Sequence, residues 1–132
     1  MNDRYLFRGK RADNGEWVVG DLMQWNDGTM RICVEDGDDS KITRTVIPET
    51  VGQCTGLKDK NGKLIFEGDI LLFTNEDGEK TPYEVMWSKV QNAYMVSTDE
   101  LGDTMDCWNK WGEYYEIIGN SHDNPELLEV KE

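Results

Sequence analysis

One histidine, three prolines and three cysteines are all that this 132-residue chain holds of the residues that most often catalyse, kink or staple. The cysteines, Cys33, Cys54 and Cys107, are odd in number and widely spaced, with no Cys-x-x-Cys pair. That excludes a zinc knuckle or a dithiol redox motif, and it suits a reduced, cytoplasmic protein whose thiols pack as small apolar groups. The longest apolar run, residues 70–73, falls far short of the roughly 20 residues of a membrane span. Residues 1–11 carry basic side chains but no apolar core segment, so no secretory signal is expected there. No Gly-x-Ser-x-Gly, His-Glu-x-x-His or Gly-Lys-Ser/Thr sequence occurs. Positive charge is scarce as well: 14 Lys+Arg face 27 Asp+Glu, for a net charge of −13. A field of that sign opposes contact with nucleic-acid phosphates and anionic membranes.

What the chain does hold is turn chemistry and aromatics. Five Trp, five Tyr and three Phe, in a composition 37% hydrophobic, argue against disorder. The length suits one domain over residues 1–132, with a division into two β lobes, about 1–56 and 57–132, left open. Asn14-Gly15, Asp27-Gly28, Asp36-Gly37, Asn61-Gly62 and Asp77-Gly78 punctuate short runs rich in Val, Ile, Thr, Tyr and Trp. Strands are expected at 17–20, 22–25, 30–34, 41–47, 63–66, 69–73, 83–87, 93–98 and 114–118, with Pro82 at the edge of its strand. Helix signal is weak by comparison. Asn124-Pro125-Glu126 reads as an N-cap, a first-position proline and a first-turn acid, opening a short C-terminal helix that docks Leu127 and Leu128. The expected fold is mainly β, as small strongly curved sheets or SH3-like barrels with that helix.

Charge is uneven along the chain. Residues 1–66 hold 10 Lys+Arg and 11 Asp+Glu, whereas residues 67–132 hold 4 and 16. An acidic second half therefore faces a nearly balanced first half. The basic cluster Arg4, Arg8, Lys10 and Arg11 has a ready counterpart in that acidic half, within one chain or between copies. His122, beside Asp123, would serve as a general base only with a nucleophile motif nearby, and none accompanies it. Glu35-Asp36-Gly37-Asp38-Asp39-Ser40 attracts cations in principle but lacks the spacing of a calcium loop. That segment and Glu76-Asp77-Gly78-Glu79 read as solvated hairpin tips. Neither a catalytic set, a metal site nor a cofactor is expected. Trp108, Trp111 and Tyr114, with Tyr115, form an aromatic cluster too poor in basic residues to stack nucleic-acid strands, and they are the candidate contact surface.

One stretch is more specific than the rest: Val51-Gly52-Gln53-Cys54-Thr55-Gly56-Leu57-Lys58-Asp59-Lys60-Asn61-Gly62-Lys63-Leu64-Ile65-Phe66-Glu67-Gly68-Asp69-Ile70. It resembles the signature of the YopX family of phage and prophage proteins. Phe7-Arg8-Gly9-Lys10 and Gly15-Glu16-Trp17-Val18-Val19-Gly20-Asp21-Leu22 resemble the family's opening. Pro48-Glu49-Thr50 resembles the lead into its central motif, and Tyr115-Glu116-Ile117-Ile118-Gly119-Asn120 with Asn124-Pro125-Glu126-Leu127-Leu128 its closing segment. The resemblance implies a phage or prophage setting and brings no activity or site residue with it. Within the motif, Thr55, Gly56, Leu57, Asp59, Asn61, Gly62, Glu67, Gly68 and Asp69 read as a structural set that fixes strand register, with Asn61-Gly62 as a two-residue type I′ turn. Glu67-Gly68-Asp69-Ile70 is similar to the turn that opens a strand in SH3-like barrels.

Two classes of function fit these residues. The first is a non-enzymatic accessory protein that works through protein contacts, as a homo-oligomer or by presenting its acidic half to a basic host protein. The alternative is a nucleic-acid-binding module on a barrel, using the basic residues of the first half and Trp17 or Trp25 for stacking, against the net field.

Overall fold

A computed structural model describes residues 5–35, 41–88, 93–97, 102–104 and 112–128. Strands next to each other in sequence pair with each other, because turns reverse the chain every few residues. β1 (Phe7–Lys10) pairs with β2 (Trp17–Gln24), β2 with β3 (Met30–Glu35) and β3 with β4 (Lys41–Val46), all antiparallel. A 3-10 turn at Pro48–Thr50 then leads into β5 (Gly52–Lys58), which returns to β1 with Phe7 opposite Gln53. β6 (Leu64–Phe66) completes the order β4-β3-β2-β1-β5-β6. A second meander runs through β7 (Asp69–Thr74), β8 (Lys80–Ser88), β9 (Ala93–Ser97) and β10 (Gly102–Thr104). β11 (Tyr115–Asn120) joins β7 on its other side, for the order β10-β9-β8-β7-β11. The chain divides into two compact units, Met1–Cys54 and Thr55–Glu132, and the division falls within β5.

The mainly β architecture is the one expected. An SH3-like barrel is not what forms. Among the described residues neither antiparallel sheet forms a closed barrel: β4 and β6 end one, with β4 touching the chain just after β1 at the isolated bridge Arg11–Val46, and β10 and β11 end the other. Closure stops at that bridge, where the Ile47 N–H donates to Lys10 O (2.8 Å) and the Ala12 N–H to Thr45 O (2.9 Å), because Phe7 and Arg8 of β1 pair with β5 instead. The C-terminal helix is a single 3-10 turn at Pro125–Leu128, closed by a hydrogen bond from the Leu127 N–H to the Asn124 carbonyl (3.0 Å). Asn124 does not cap it: its Oδ1 accepts from the Asn120 N–H at 3.3 Å. Residues 17–20 and 22–25, read as separate strands, form one strand, β2, whose Gly20 lies so close under the Cys33 carbonyl that a Cβ there would collide with it. Pro82 sits within β8, opposite Leu72 of β7. The described pairing of β8 with β9 runs from Glu84 opposite Ser97 to Ser88 opposite Ala93.

Three hairpins share one loop geometry. In the β5–β6 hairpin the Asp59 N–H donates to Lys63 O (2.9 Å) and the Gly62 N–H to Asp59 O (3.0 Å), with Gly62 at φ +81°. The same pair of bonds closes Trp25 on Thr29 around Gly28 (φ +92°) and Asn75 on Glu79 around Gly78 (φ +83°). These are three-residue loops, a type I turn followed by a left-handed glycine. They replace the two-residue type I′ turn expected at Asn61-Gly62, because the turn bond starts at Asp59, which leaves only the glycine in the left-handed region.

Each unit has its own buried set. In Met1–Cys54 it is Ile32, Val46 and Cys54. In Thr55–Glu132 Ile65, Leu71, Val85 and Val96 form a cluster, with Leu57, Tyr83, Tyr94, Tyr115 and Ile117 packed around it. The register explains most of the grouping: Leu71 lies opposite Ile117 and Tyr83, and Val85 opposite Val96, so one sheet face gathers these, while Ile65 and Leu57 come from β6 and β5. Full burial of each aliphatic side chain is worth about 1.5–3 kcal/mol relative to exposure.

Candidate functional site

The signature stretch folds around three buried polar side chains, each satisfied by backbone. Thr55 Oγ1 donates to Ile65 O (2.9 Å) and accepts from the Leu57 N–H (3.1 Å). The Asp69 carboxylate accepts from the Phe66 N–H (2.8 Å), closing the turn through Glu67 and Gly68, whose own N–H donates to Val85 O (2.9 Å). Asp59 does most. Oδ1 accepts from the N–H groups of Asn61 and Lys63, both at 2.9 Å, and Oδ2 accepts from the Ile117 N–H at 3.0 Å. One carboxylate thus organises its own loop and fastens it to β11, 58 residues away in sequence. Gly56 and Gly68, at φ +83° and +93°, take conformations that side chains with a Cβ resist.

A second constellation lies on β2. Strand alternation puts Trp17, Val19, Asp21 and Met23 on the face opposite Val18, Gly20 and Leu22. Across the ladders, Trp17 stands opposite Lys10, Val19 opposite Arg8, and Met23 opposite Arg31. Val19 is 44% exposed, Met23 39%, and Trp25 just past the strand 47%. The Arg8 guanidinium lies over the Trp17 ring at 4.8 Å and the Lys10 ammonium at 5.7 Å, so that indole already carries cationic partners. Arg31 lies along β4, donating to Thr43 Oγ1 (3.0 Å) and Thr45 Oγ1 (2.9 Å). A pocket of about 210 Å³ beside it is lined by Arg11, Asp13, Arg31, Thr43 and Thr45. Asp13 already answers Arg11 with two bonds of 2.9 and 2.7 Å, and that contact holds the Asp13 carboxyl below its ordinary range.

The unit Thr55–Glu132 carries an aromatic cluster at one end of its sheet. Phe73 packs against Tyr115 (centroids 5.0 Å apart), Tyr114 (6.2 Å) and Tyr83 (6.4 Å). Beside it opens a pocket of about 300 Å³ lined by Phe73, Asn75, Glu76, Asp77 and Tyr114. Of the contact surface expected at Trp108, Trp111 and Tyr114, only Tyr114 is described, and it lines this pocket; Trp108, Trp111, Cys107 and Arg4 lie outside the described residues. So do residues 36–40 of the first acidic tip. His122 is exposed in the turn after β11, its N–H donating to Asn120 Oδ1 (3.1 Å), while Asp123 accepts from Asn120 Nδ2 (3.2 Å). Among the described residues no three His, Cys, Asp or Glu side chains gather as metal ligands, and no helix is long and apolar enough to cross a membrane.

The family model described as YopX protein matches residues 6–129. The chain belongs to the YopX family. No curated protein matches it in sequence. Among solved structures it is similar to the YopX protein of Bacillus subtilis, with a TM-score of 0.60 at 22% identity, covering 98% of this chain and 100% of that one. It is also similar to protein EF1440 of Enterococcus faecalis, with a TM-score of 0.55 at 24% identity, covering 93% and 96%. At these identities the likeness establishes the YopX fold and carries no site residue across.

Sequence reasoning missed Phe73, Glu76 and Asp77 as companions of Tyr114 in this YopX chain. The readable signal was an aromatic residue near the end of a strand, separated by one residue from an acidic Asn-Glu-Asp-Gly turn. The exposed row on β2 was equally readable once residues 17–24 are taken as one strand.

Proposed function

We propose that this YopX-family chain is an accessory protein of a phage or prophage that acts in the host cytoplasm, without catalysis, by contacting other protein chains, including copies of itself. The observation that carries this reading is the face of β2 where Val19 and Met23 stay exposed, one on either side of Asp21 and opposite Arg8 and Arg31, with exposed Trp25 just beyond the strand. Methionine, aromatic and arginine side chains are the types enriched where proteins meet. The acidity of the other unit supports it: Thr55–Glu132 holds 7 Lys+Arg and 17 Asp+Glu, against 7 and 10 in Met1–Cys54.

Size-exclusion chromatography with light scattering at micromolar concentration tests the self-association. The expected result is a mass above one chain that V19K/M23K reduces to one. A strict monomer at low and high salt overturns it. A second reading, nucleic-acid binding, is favoured by Arg8, Lys10 and Arg31 sharing that face with Trp17. It requires short strands to bind at low salt with affinity falling as salt rises, and no binding there removes it.

A further inference from the structure

The pocket beside Phe73 combines three properties that nothing above uses. Its walls are aromatic: Phe73 from β7 and Tyr114 from the 3-10 turn Gly112–Tyr114 stand with centroids 6.2 Å apart and planes tilted by 58°. Its rim is acidic, because the loop after β7 places Glu76 and Asp77 there. The loop does not consume those carboxylates. Asn75 Oδ1 alone takes the N–H groups of Asp77 and Glu79, both at 2.9 Å, so the loop is held by an amide and the two acids stay exposed, with no ion pair among the described residues. Ring faces carry negative potential and attract a cation, and carboxylates at the rim add to that attraction. A volume of about 300 Å³ admits one long side chain.

We propose that this pocket receives the ammonium or guanidinium group of a lysine or arginine carried by a partner polypeptide, with Phe73 and Tyr114 as walls and Glu76 and Asp77 as counter-charges. Charge complementarity selects that occupant, since the unit that presents the pocket holds 17 acidic against 7 basic residues. A buried stem along the rings and a charged head at the rim match the two-part character of long basic side chains. The inference rests on the reading that the protein works by protein contact, and it names the chemistry of one such contact.

The test titrates the ¹⁵N-labelled full chain with lysine and arginine tetrapeptides at low ionic strength, beside a glutamine tetrapeptide and choline. Backbone shifts are expected to concentrate at residues 73–79 and 114 with either basic peptide. E76Q/D77N, which changes two exposed side chains outside the loop's own hydrogen bonds, should weaken binding by about fivefold. Shifts spread over other acids of the chain, such as Glu16, Glu49 and Glu126, or unchanged affinity in E76Q/D77N, overturn the site. Choline binding at least as tightly as the peptides overturns the polypeptide source. Failure of the wild-type chain to bind either basic peptide, with self-association intact, refutes the pocket alone; peptide binding at the pocket by a strict monomer refutes self-association alone.

Discussion

Replacing Asp59 with alanine is expected to destabilise the protein by about 3–4 kcal/mol, because a buried carboxylate that accepts three backbone N–H groups would vanish. The side chain is 6% exposed, so water cannot freely take its place. Loss of Oδ1 strands the N–H groups of Asn61 and Lys63, and loss of Oδ2 strands that of Ile117. Bonds to an ionised acceptor are worth more than neutral ones, and a buried donor left unpaired costs its own desolvation. D59N keeps one acceptor oxygen but turns an amide donor toward another donor, so it should fall between wild type and D59A. The two loops of the same shape supply an internal scale. Asn75, at the loop position of Asp59, accepts two N–H groups while half-buried; in the third loop that position is Trp25, and exposed Asp27, two places later, accepts from the Thr29 N–H and the Thr29 side chain. The expected order of cost is therefore Asp59, Asn75, Asp27, read from urea or thermal midpoints of the three alanine variants. If D59A melts with D27A, the carboxylate does not fasten the loop to β11.

Gly20→Ala is expected to cost about 3 kcal/mol, although alanine suits a strand better than glycine does. A Cβ at Gly20 would drive into the backbone carbonyl oxygen of Cys33 and would stand 3.2 Å from Ile32 Cγ2. The first neighbour is main chain within a paired strand and cannot turn aside; the second belongs to a fully buried residue. Gly62→Ala separates this effect from conformational strain. There nothing lies within 4 Å of the added Cβ, and the cost reduces to holding alanine at φ +81°, about 1 kcal/mol. Denaturant unfolding of both variants should place G20A well below G62A. Equal midpoints would mean that β2 and β3 slide apart at little cost.

The meanders were readable in the chain because glycine dipeptides mark their turns and β-branched or aromatic runs lie between them. Strands β3, β4, β7, β9 and β11 fall within about two residues of where those signals put them. β1, β5 and β10 were not readable. Phe7-Arg8-Gly9-Lys10 and Gly52-Gln53-Cys54-Thr55-Gly56-Leu57-Lys58 have little strand propensity, and each is extended because neighbouring strands accept its hydrogen bonds. The type I′ reading of Asn61-Gly62 erred because the dipeptide does not reveal where the turn bond begins, and the residue two before it, Asp59, decides that. The Asp59–Ile117 tie was out of reach altogether, since no local pattern encodes a bond between residues 58 apart. The charge asymmetry survives with a shifted boundary. Division at Cys54 assigns Lys58, Lys60 and Lys63 to the acidic unit, where Lys60 approaches Glu116 at 3.8 Å.

The pairing order of the strands also apportions the entropy of folding. Hairpins β2–β3, β5–β6 and β7–β8 close over three-residue loops, so bringing their ends together costs little beyond ordering the loop itself. Among the described strand ladders two reach across long stretches of chain, Phe7 to Gln53 and Phe73 to Tyr115, and the single bridge Arg11–Val46 adds a third contact of that kind. The two ladder closures are each made by a strand arriving at the edge of a meander that local turns can already have assembled. The Asp59 carboxylate and the Phe73 ring pile both lie across the second closure. The side chains that tie β11 down thus act where the chain surrenders the most freedom at once.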